Sequence, residues 1–287
     1  MFDHVQAFYH PSSVPEALRL LRTLGPGSRV VAGGTDLAVQ AKRSTRYLID
    51  ITRLGLDYIR RQSGGWVVGA TTTMAALEQS PKMRSLADGI VSQAASTCGS
   101  VQLRNMATVG GNLANASPAA DTATPLLALD ASVVVQAVRG KRVLPLSEFF
   151  SGPHRTALNG ALLLEIRVPG PKPRSRWCFQ KLGRTEADIS VVNLAAGLQF
   201  DSAGRCAFAR LALGAVAPTP MRAQAAETLL AGQKLSRALL QRVAESVMQA
   251  VQPISDIRAS AEYRREMCGV LARRALMECA ERAGCAL

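Results

Sequence analysis

The chain has 287 residues, 48% hydrophobic and 19% charged, enough for a sizeable core and for two or three domains. It has no apolar run of about 18 residues, and its start, MFDHVQAFYHPSS, lacks a basic region leading into an apolar one, so no membrane span and no export signal are expected and the expected location is cytoplasmic. The net charge of +13 would suit nucleic acid, but the basic residues are spread along the chain and aromatics reach only 5%, so no nucleic-acid binding is expected; solvated faces and a docking surface for acidic partners are.

Ser13-Val14-Pro15-Glu16 has the form of a capping box, and Val14, Ala17, Leu18, Leu21 and Leu24 follow at helical spacing, so a helix opens the fold. Residues 29–32 read as a short strand ending in a glycine pair and 47–51 as another, which makes 1–54 a small α/β domain. WVVGA from Trp66 predicts a strand that breaks at Gly69, and Thr71 to Thr73 supply capping hydroxyls for a helix over 74–79. A further helix is predicted to open at Ser85-Leu86-Ala87-Asp88, with Leu86, Ile90, Ala94 and Ala95 as its stripe.

Residues 125–129 then read as helix, 132–138 as a strand turning at Arg139-Gly140 into Val143 and Leu144, and 162–168 as a strand ended by Pro169. The second domain, 55–175, thus mixes helices with a mainly antiparallel sheet, and 170–176, rich in proline and basic residues, is the linker. Beyond it Trp177, Phe179 and Lys181 alternate, 191–200 and 206–213 pair as strands, and helices over 221–230, 236–250 and about 260–283 complete a third α+β domain at 176–287.

Two segments carry the chemistry: VVAGGTDL at 30–37 and ATVGGNLANASPAAD at 107–121. Each sets paired glycines beside a hydroxyl and a carboxylate side chain, with amides added in the second, and such backbone comes close enough to a pyrophosphate to donate N–H groups to it. Two such loops imply one large diphosphate cofactor gripped from both sides. Neither is a G-x-G-x-x-G fingerprint and neither ends in Gly-Lys-Ser/Thr, so a standard NAD or ATP site is not expected. The six cysteines are scattered without a C-x-x-C pair, and no nucleophile or ligand pattern surrounds His4, His10 or His154. No catalytic side chain and no metal ligand are therefore expected in this chain.

These segments, with VGATTT at 68–73 and SDIRASAEYRREM at 255–267, closely resemble the FAD-binding medium subunit of molybdenum hydroxylases, the xanthine and carbon monoxide dehydrogenase group, along nearly the whole chain. The resemblance implies an α+β protein: a two-domain FAD-binding fold of the vanillyl-alcohol-oxidase/PCMH type, plus a C-terminal α+β domain with a small antiparallel sheet and a helical bundle. It implies that Val31, Ala32, Gly33, Gly34, Thr35, Asp36 and Leu37 wrap the FAD pyrophosphate. Thr108, Gly110, Gly111, Asn112, Asn115 and Asp121 would meet the phosphates, the ribityl chain and the adenosine ribose, with Asp121 accepting from a sugar hydroxyl. Leu163 and Leu164 resemble positions that pack on the flavin ring, although a core leucine needs no cofactor to explain it. Cys98 and Gly99 lie where relatives approach the adenine end, and a small buried pair is the alternative.

KLGRTEADISVVN at 181–193 matches the family's K-x-x-R-x-x-x-D-I pattern, which implies that Lys181 stands near the isoalloxazine and that Arg184 to Ile189 form a loop regulating access to it. A solvated ion-pair face is the alternative. The implied partners are an iron–sulfur small subunit carrying [2Fe-2S] clusters and a molybdopterin large subunit, in a dimer of heterotrimers, with electrons passing through FAD to NAD, oxygen or another acceptor. The lack of an extra cysteine-bearing insertion argues against the hydroxybenzoyl-CoA reductase branch. A self-sufficient FAD-dependent oxidoreductase with its own substrate and a basic non-enzymatic binding module are the competing readings.

Overall fold

A computed structural model describes residues 4–40 and 42–285. Helix α1 (Val14–Leu24) begins where the sequence predicts, because the Ser13 hydroxyl accepts the Glu16 N–H and Pro15 occupies the first turn. The box is displaced by one residue: the Glu16 carboxylate takes the Ser12 N–H at 2.8 Å and the Ser12 hydroxyl at 2.9 Å. Ala17 and Leu18 of α1 pack with Ile49 in a small core. That core lies on strands β1 (Ala7–Tyr9), β2 (Ser28–Val31) and β3 (Tyr47–Asp50), a parallel sheet in the order β1-β3-β2. A short helix, α2 (Thr35–Gln40), links β2 to β3.

The central unit is a five-stranded antiparallel sheet built from β4 (Ile59–Gln62), β5 (Gly65–Gly69), β6 (Ser132–Ala137), β7 (Gly140–Pro145) and, after the ribbon β8 (Phe150–Gly152) and β9 (Arg155–Thr156), β10 (Leu162–Pro169). Short helices cover one face: α3 (Met74–Gln79), α4 (Pro81–Ser85), α5 (Ile90–Ser96), α6 (Val101–Met106), α7 (Val109–Asn115), α8 (Ala123–Ala128) and α9 (Leu146–Phe149). Leu163, Ile166 and Val168 of β10 enter that helix-covered core, whereas Leu162 and Leu164 enter the core of the parallel sheet. Burial on both faces explains why β10 reads as a near-continuous apolar run without alternation.

Two local expectations fail here for identifiable reasons. The helix predicted to open at Ser85 opens at Ile90, because Ala87 and Asp88 turn through left-handed backbone at φ 50° and 52°. The turn lets the Asp88 carboxylate accept the Trp177 N–H at 2.7 Å, a tertiary contact that a helical stripe does not reveal. Residues 109–115 of the second glycine-bearing segment are helix α7 and not an open loop.

The C-terminal unit has the antiparallel order β11-β12-β13-β14, with β11 (Arg176–Leu182), β12 (Val192–Phe200), β13 (Cys206–Gly214) and β14 (Met221–Arg222). Residues 221–222, expected in a helix, thus extend the sheet, and helix α10 starts later (Gln224–Leu230). With α11 (Arg237–Ala250) and α12 (Ala261–Arg282) it covers one face, packing Val243, Val247, Ala272 and Leu276 on Leu194, Ala196 and Leu211. Trp177 and Phe179 join the central core from the other face, and a Cβ at Gly197 would run into the Trp177 ring. Lys181, next on that alternating face, is directed at the central unit. The architecture is α+β, and no helix of the described residues is long and apolar enough to cross a membrane.

Candidate functional site

A cleft of about 330 Å³ separates the parallel-sheet unit from the central unit. The residues expected to wrap the cofactor line it, except Asp121, Lys181 and Leu164, and Cys98 and Gly99 also stand outside the lining. Strand β2 delivers the chain to its first wall, where the backbone turns at Gly34 with φ +70°. A Cβ added at Gly34 would touch only Val31 Cγ1, at 3.6 Å, so this main chain stands open to the cleft. The N–H groups of Gly33, Gly34, Thr35, Asp36 and Leu37 have no acceptor among the described residues, and the Thr35 hydroxyl has no hydrogen-bond partner there either; the first satisfied amide is Ala38, which donates to Gly34 O at 2.8 Å. A run of open donors requires water or a ligand rich in acceptor oxygens.

Gly33 has a second duty: a Cβ there would land on the Met106 carbonyl, so glycine is what lets the two walls meet backbone to backbone. Gly110 works similarly, since a Cβ would lie 2.5 Å from Ala70 O.

The second wall differs from the expectation that both segments present amides. The Thr108 hydroxyl caps α7 by accepting the Gly111 N–H at 3.1 Å, the Gly110 N–H goes to Ala70 O at 2.9 Å, and the Asn112 N–H to Thr108 O at 2.9 Å. These donors are consumed by the fold, and what remains is side chains. Asn112 Oδ1 accepts the Thr122 hydroxyl at 2.7 Å, and Asn115 Oδ1 accepts Gln40 Nε2 at 2.8 Å, a bond that crosses from α2 to α7. Leu163 lines the cleft beside Leu162, and Leu164 faces the small core instead.

The cleft also contains residues that no motif marked, among them Arg29, Gln40, Lys42 and His154. Burial pushes the Asp36 carboxyl up from its ordinary value, opposed by the charge of His154. Without a recurring local pattern around them, these residues have no sequence signature.

Asp121 and Lys181 lie outside the lining and hold each other. Lys181 Nζ is 2.8 Å from Asp121 Oδ2 and donates to Thr97 O at 2.7 Å, with both ionic side chains 7% exposed. The Ser190 hydroxyl and Asn193 Nδ2 donate to Asp121 Oδ1, the latter at 2.9 Å, and Asn193 Oδ1 accepts the Thr124 hydroxyl at 2.6 Å. Burial pushes the Asp121 carboxyl up, against the pull of Lys181, Ser190 and Asn193. With both oxygens engaged by protein donors, Asp121 is committed to joining the C-terminal sheet to the central unit. The Cys98 thiol, 4.0 Å from Asp121 Oδ2, is pushed up to about 12 by burial and by that carboxylate. In the neighbouring loop the Arg184 guanidinium binds Asp188 at 2.6 Å and Ile189 is 49% exposed.

The cleft, with its run of open amides and no G-x-G-x-x-G fingerprint, has the donors that an anionic cofactor needs. Residues 2–171 match the family described as the FAD binding domain in molybdopterin dehydrogenase, and residues 177–279 match the CO dehydrogenase flavoprotein C-terminal domain. The chain is 33% identical over 294 residues to the xanthine dehydrogenase FAD-binding subunit of Escherichia coli O157:H7, covering 99% of each. It is 32% identical over 274 residues to the carbon monoxide dehydrogenase medium chain of Hydrogenophaga pseudoflava, covering 93% of this chain and 95% of that one. A solved carbon monoxide dehydrogenase from H. pseudoflava that lacks the Mo-pyranopterin moiety superposes with a TM-score of 0.94 at 32% identity over 100% of both chains. Quinoline 2-oxidoreductase from Pseudomonas putida 86 gives 0.91 at 27% identity over 99% of both.

The chain belongs to the FAD-binding medium subunits of the molybdenum hydroxylases. It is an oxidoreductase component, and FAD is the cofactor of this chain.

Proposed function

We propose that this chain is the electron outlet of a molybdenum hydroxylase. It receives electrons from [2Fe-2S] clusters of a small partner subunit and passes them to an acceptor such as NAD or oxygen, while a molybdopterin large subunit oxidises the substrate. The assembly is a dimer of heterotrimers in the cytoplasm, and the +13 charge suits docking against acidic subunits. The observation that carries this reading is the run of open amides from Gly33 to Leu37 facing a cleft. Bound FAD supplies the chemistry, accepting electrons singly and releasing them as a pair.

The residues present fit that cofactor. The open amides and the Thr35 hydroxyl are donors for a diphosphate, and the bare backbone at Gly34 lets phosphate oxygens approach. Asn112 and Asn115 offer amide groups from the α7 wall, and Leu163 offers apolar surface. The neutralised pair of Lys181 and Asp121 fixes the C-terminal unit, and with it the Arg184 to Ile189 loop, beside the cofactor. The domain limits proposed are 1–54, 55–175 and 176–287; each stretch supplies most of one core, with Leu162 and Leu164 crossing into the first and Trp177 and Phe179 into the second.

FAD titration of the purified chain, followed by flavin fluorescence, tests the assignment. Wild type is expected to take up FAD, and Thr35→Ala to bind it about tenfold more weakly, the typical worth of one hydrogen bond to a charged group. A chain that ignores FAD, or a Thr35→Ala variant with wild-type affinity, would overturn it.

A further inference from the structure

His154 occupies the turn between β8 and β9 at the rim of the cleft, with a left-handed backbone at φ 55° that is uncommon outside glycine and that histidine tolerates better than most residues. Two bonds hold the turn there. The His154 N–H donates to Ala116 O at 2.9 Å, and Nδ1 lies 3.0 Å from Asn115 O. A carbonyl only accepts, so Nδ1 carries the proton in that contact and Nε2 is left without a partner among the described residues. Asn115 is itself tied across the cleft to Gln40, so α2, Asn115 and His154 form one chain of contacts over the opening.

The charge pattern leaves a specific gap. The open amides are neutral, the α7 wall has spent its amides on the fold, and Asp36 brings a carboxylate to the place where a diphosphate would be held. His154 and Asp36 both line the cleft, and the charge of His154 acts on the Asp36 carboxyl; Arg29 and Lys42 are the other charged groups on these walls, and Arg155 follows on the same turn.

We infer that His154 is a phosphate ligand of the cofactor cleft: its Nε2, protonated when the anion arrives, donates to the diphosphate from the side opposite the Gly33 to Leu37 amides. This rests on the FAD reading above. The Asn115 carbonyl positions the ring by holding Nδ1, and the strained turn places it. A charged imidazole is the stronger donor to an anion, so the affinity it adds is greatest at the acid end of histidine's range. Protonation of Asp36 would strengthen anion binding in the same direction, so the contribution of His154 is the difference from a variant that keeps Asp36.

The test is titration with FAD, ADP and riboflavin between about pH 5.5 and 8.5, the span in which histidine changes charge. Wild type is compared with His154→Asn, chosen because asparagine tolerates left-handed backbone, and with His154→Lys. At the acid end His154→Asn should bind FAD and ADP about tenfold more weakly than wild type, with riboflavin unchanged. The difference should vanish at the alkaline end, and His154→Lys should restore affinity without that pH dependence. Wild-type affinity of His154→Asn at every pH, or an equal loss toward riboflavin, would overturn the inference while leaving FAD binding intact. A wild-type chain that takes up no FAD would remove the cofactor reading and this inference with it.

Discussion

Replacing Lys181 by methionine keeps most of the side-chain bulk and removes the ammonium that faces Asp121 Oδ2 at 2.8 Å and Thr97 O at 2.7 Å. The carboxylate then retains only Ser190 and Asn193 as donors. A carboxylate left without its counter-ion in so buried a place costs about 3–5 kcal/mol. Asp121 can escape that cost by taking up a proton, so its pKa climbs further above the ordinary 3.8, the direction that burial already sets. Between the unfolded and folded values the native state then binds more protons than the unfolded chain. Stability of the variant falls as pH rises through a window that opens near 3.8, at about 1.4 kcal/mol per pH unit. The whole penalty spreads over roughly 2–4 pH units.

Urea denaturation from about pH 4 to 8 of wild type, Lys181→Met and Lys181→Met/Asp121→Asn measures this directly. The single variant should be about 3–5 kcal/mol less stable than wild type at the alkaline end and close to it at the acid end. The double variant should recover much of the loss at neutral pH, because no buried charge remains. A single variant that loses less than about 1 kcal/mol at every pH, the size of a surface pair, would refute the reasoning, as would a double variant that recovers nothing.

Two further outcomes are expected. Gly33→Ala should lower stability by about 1–3 kcal/mol and weaken FAD uptake together, since its Cβ would land on the Met106 carbonyl and force the walls apart; an unchanged melting temperature would contradict the close approach. Cys98, whose thiol is pushed up to about 12, should resist iodoacetamide at about pH 8 in the folded protein and react in urea, as read by peptide mass spectrometry; rapid native labelling would count against its burial.

The two motif segments fall on opposite walls of one cleft, and the fold gives several of their groups contacts that the motifs did not announce. Paired glycines announce close approach, and they cannot say to what: Gly34 leaves backbone bare toward the cleft, whereas Gly33 and Gly110 admit neighbouring main chain. A hydroxyl before two glycines reads as a phosphate loop, yet Thr108 caps a seven-residue helix and spends the amides that such a loop would offer. The alternation of Trp177, Phe179 and Lys181 was legible as a strand face, but that it ends on Asp121 is a contact across a sequence separation of 60. His154 was invisible because its place is set by a turn and two carbonyl contacts, none of which leaves a pattern in neighbouring residues.

The backbone contact at Gly33 also governs how the molecule can admit something bulky. At that end the lobes abut with no side chain between them to yield, so separation there would break the packing of two units at once. The Gln40 to Asn115 bond also joins the two walls, and as a side-chain contact it can part and re-form on thermal timescales. Of these two contacts the main-chain one is the stiff joint and the side-chain one the light latch, the first to yield.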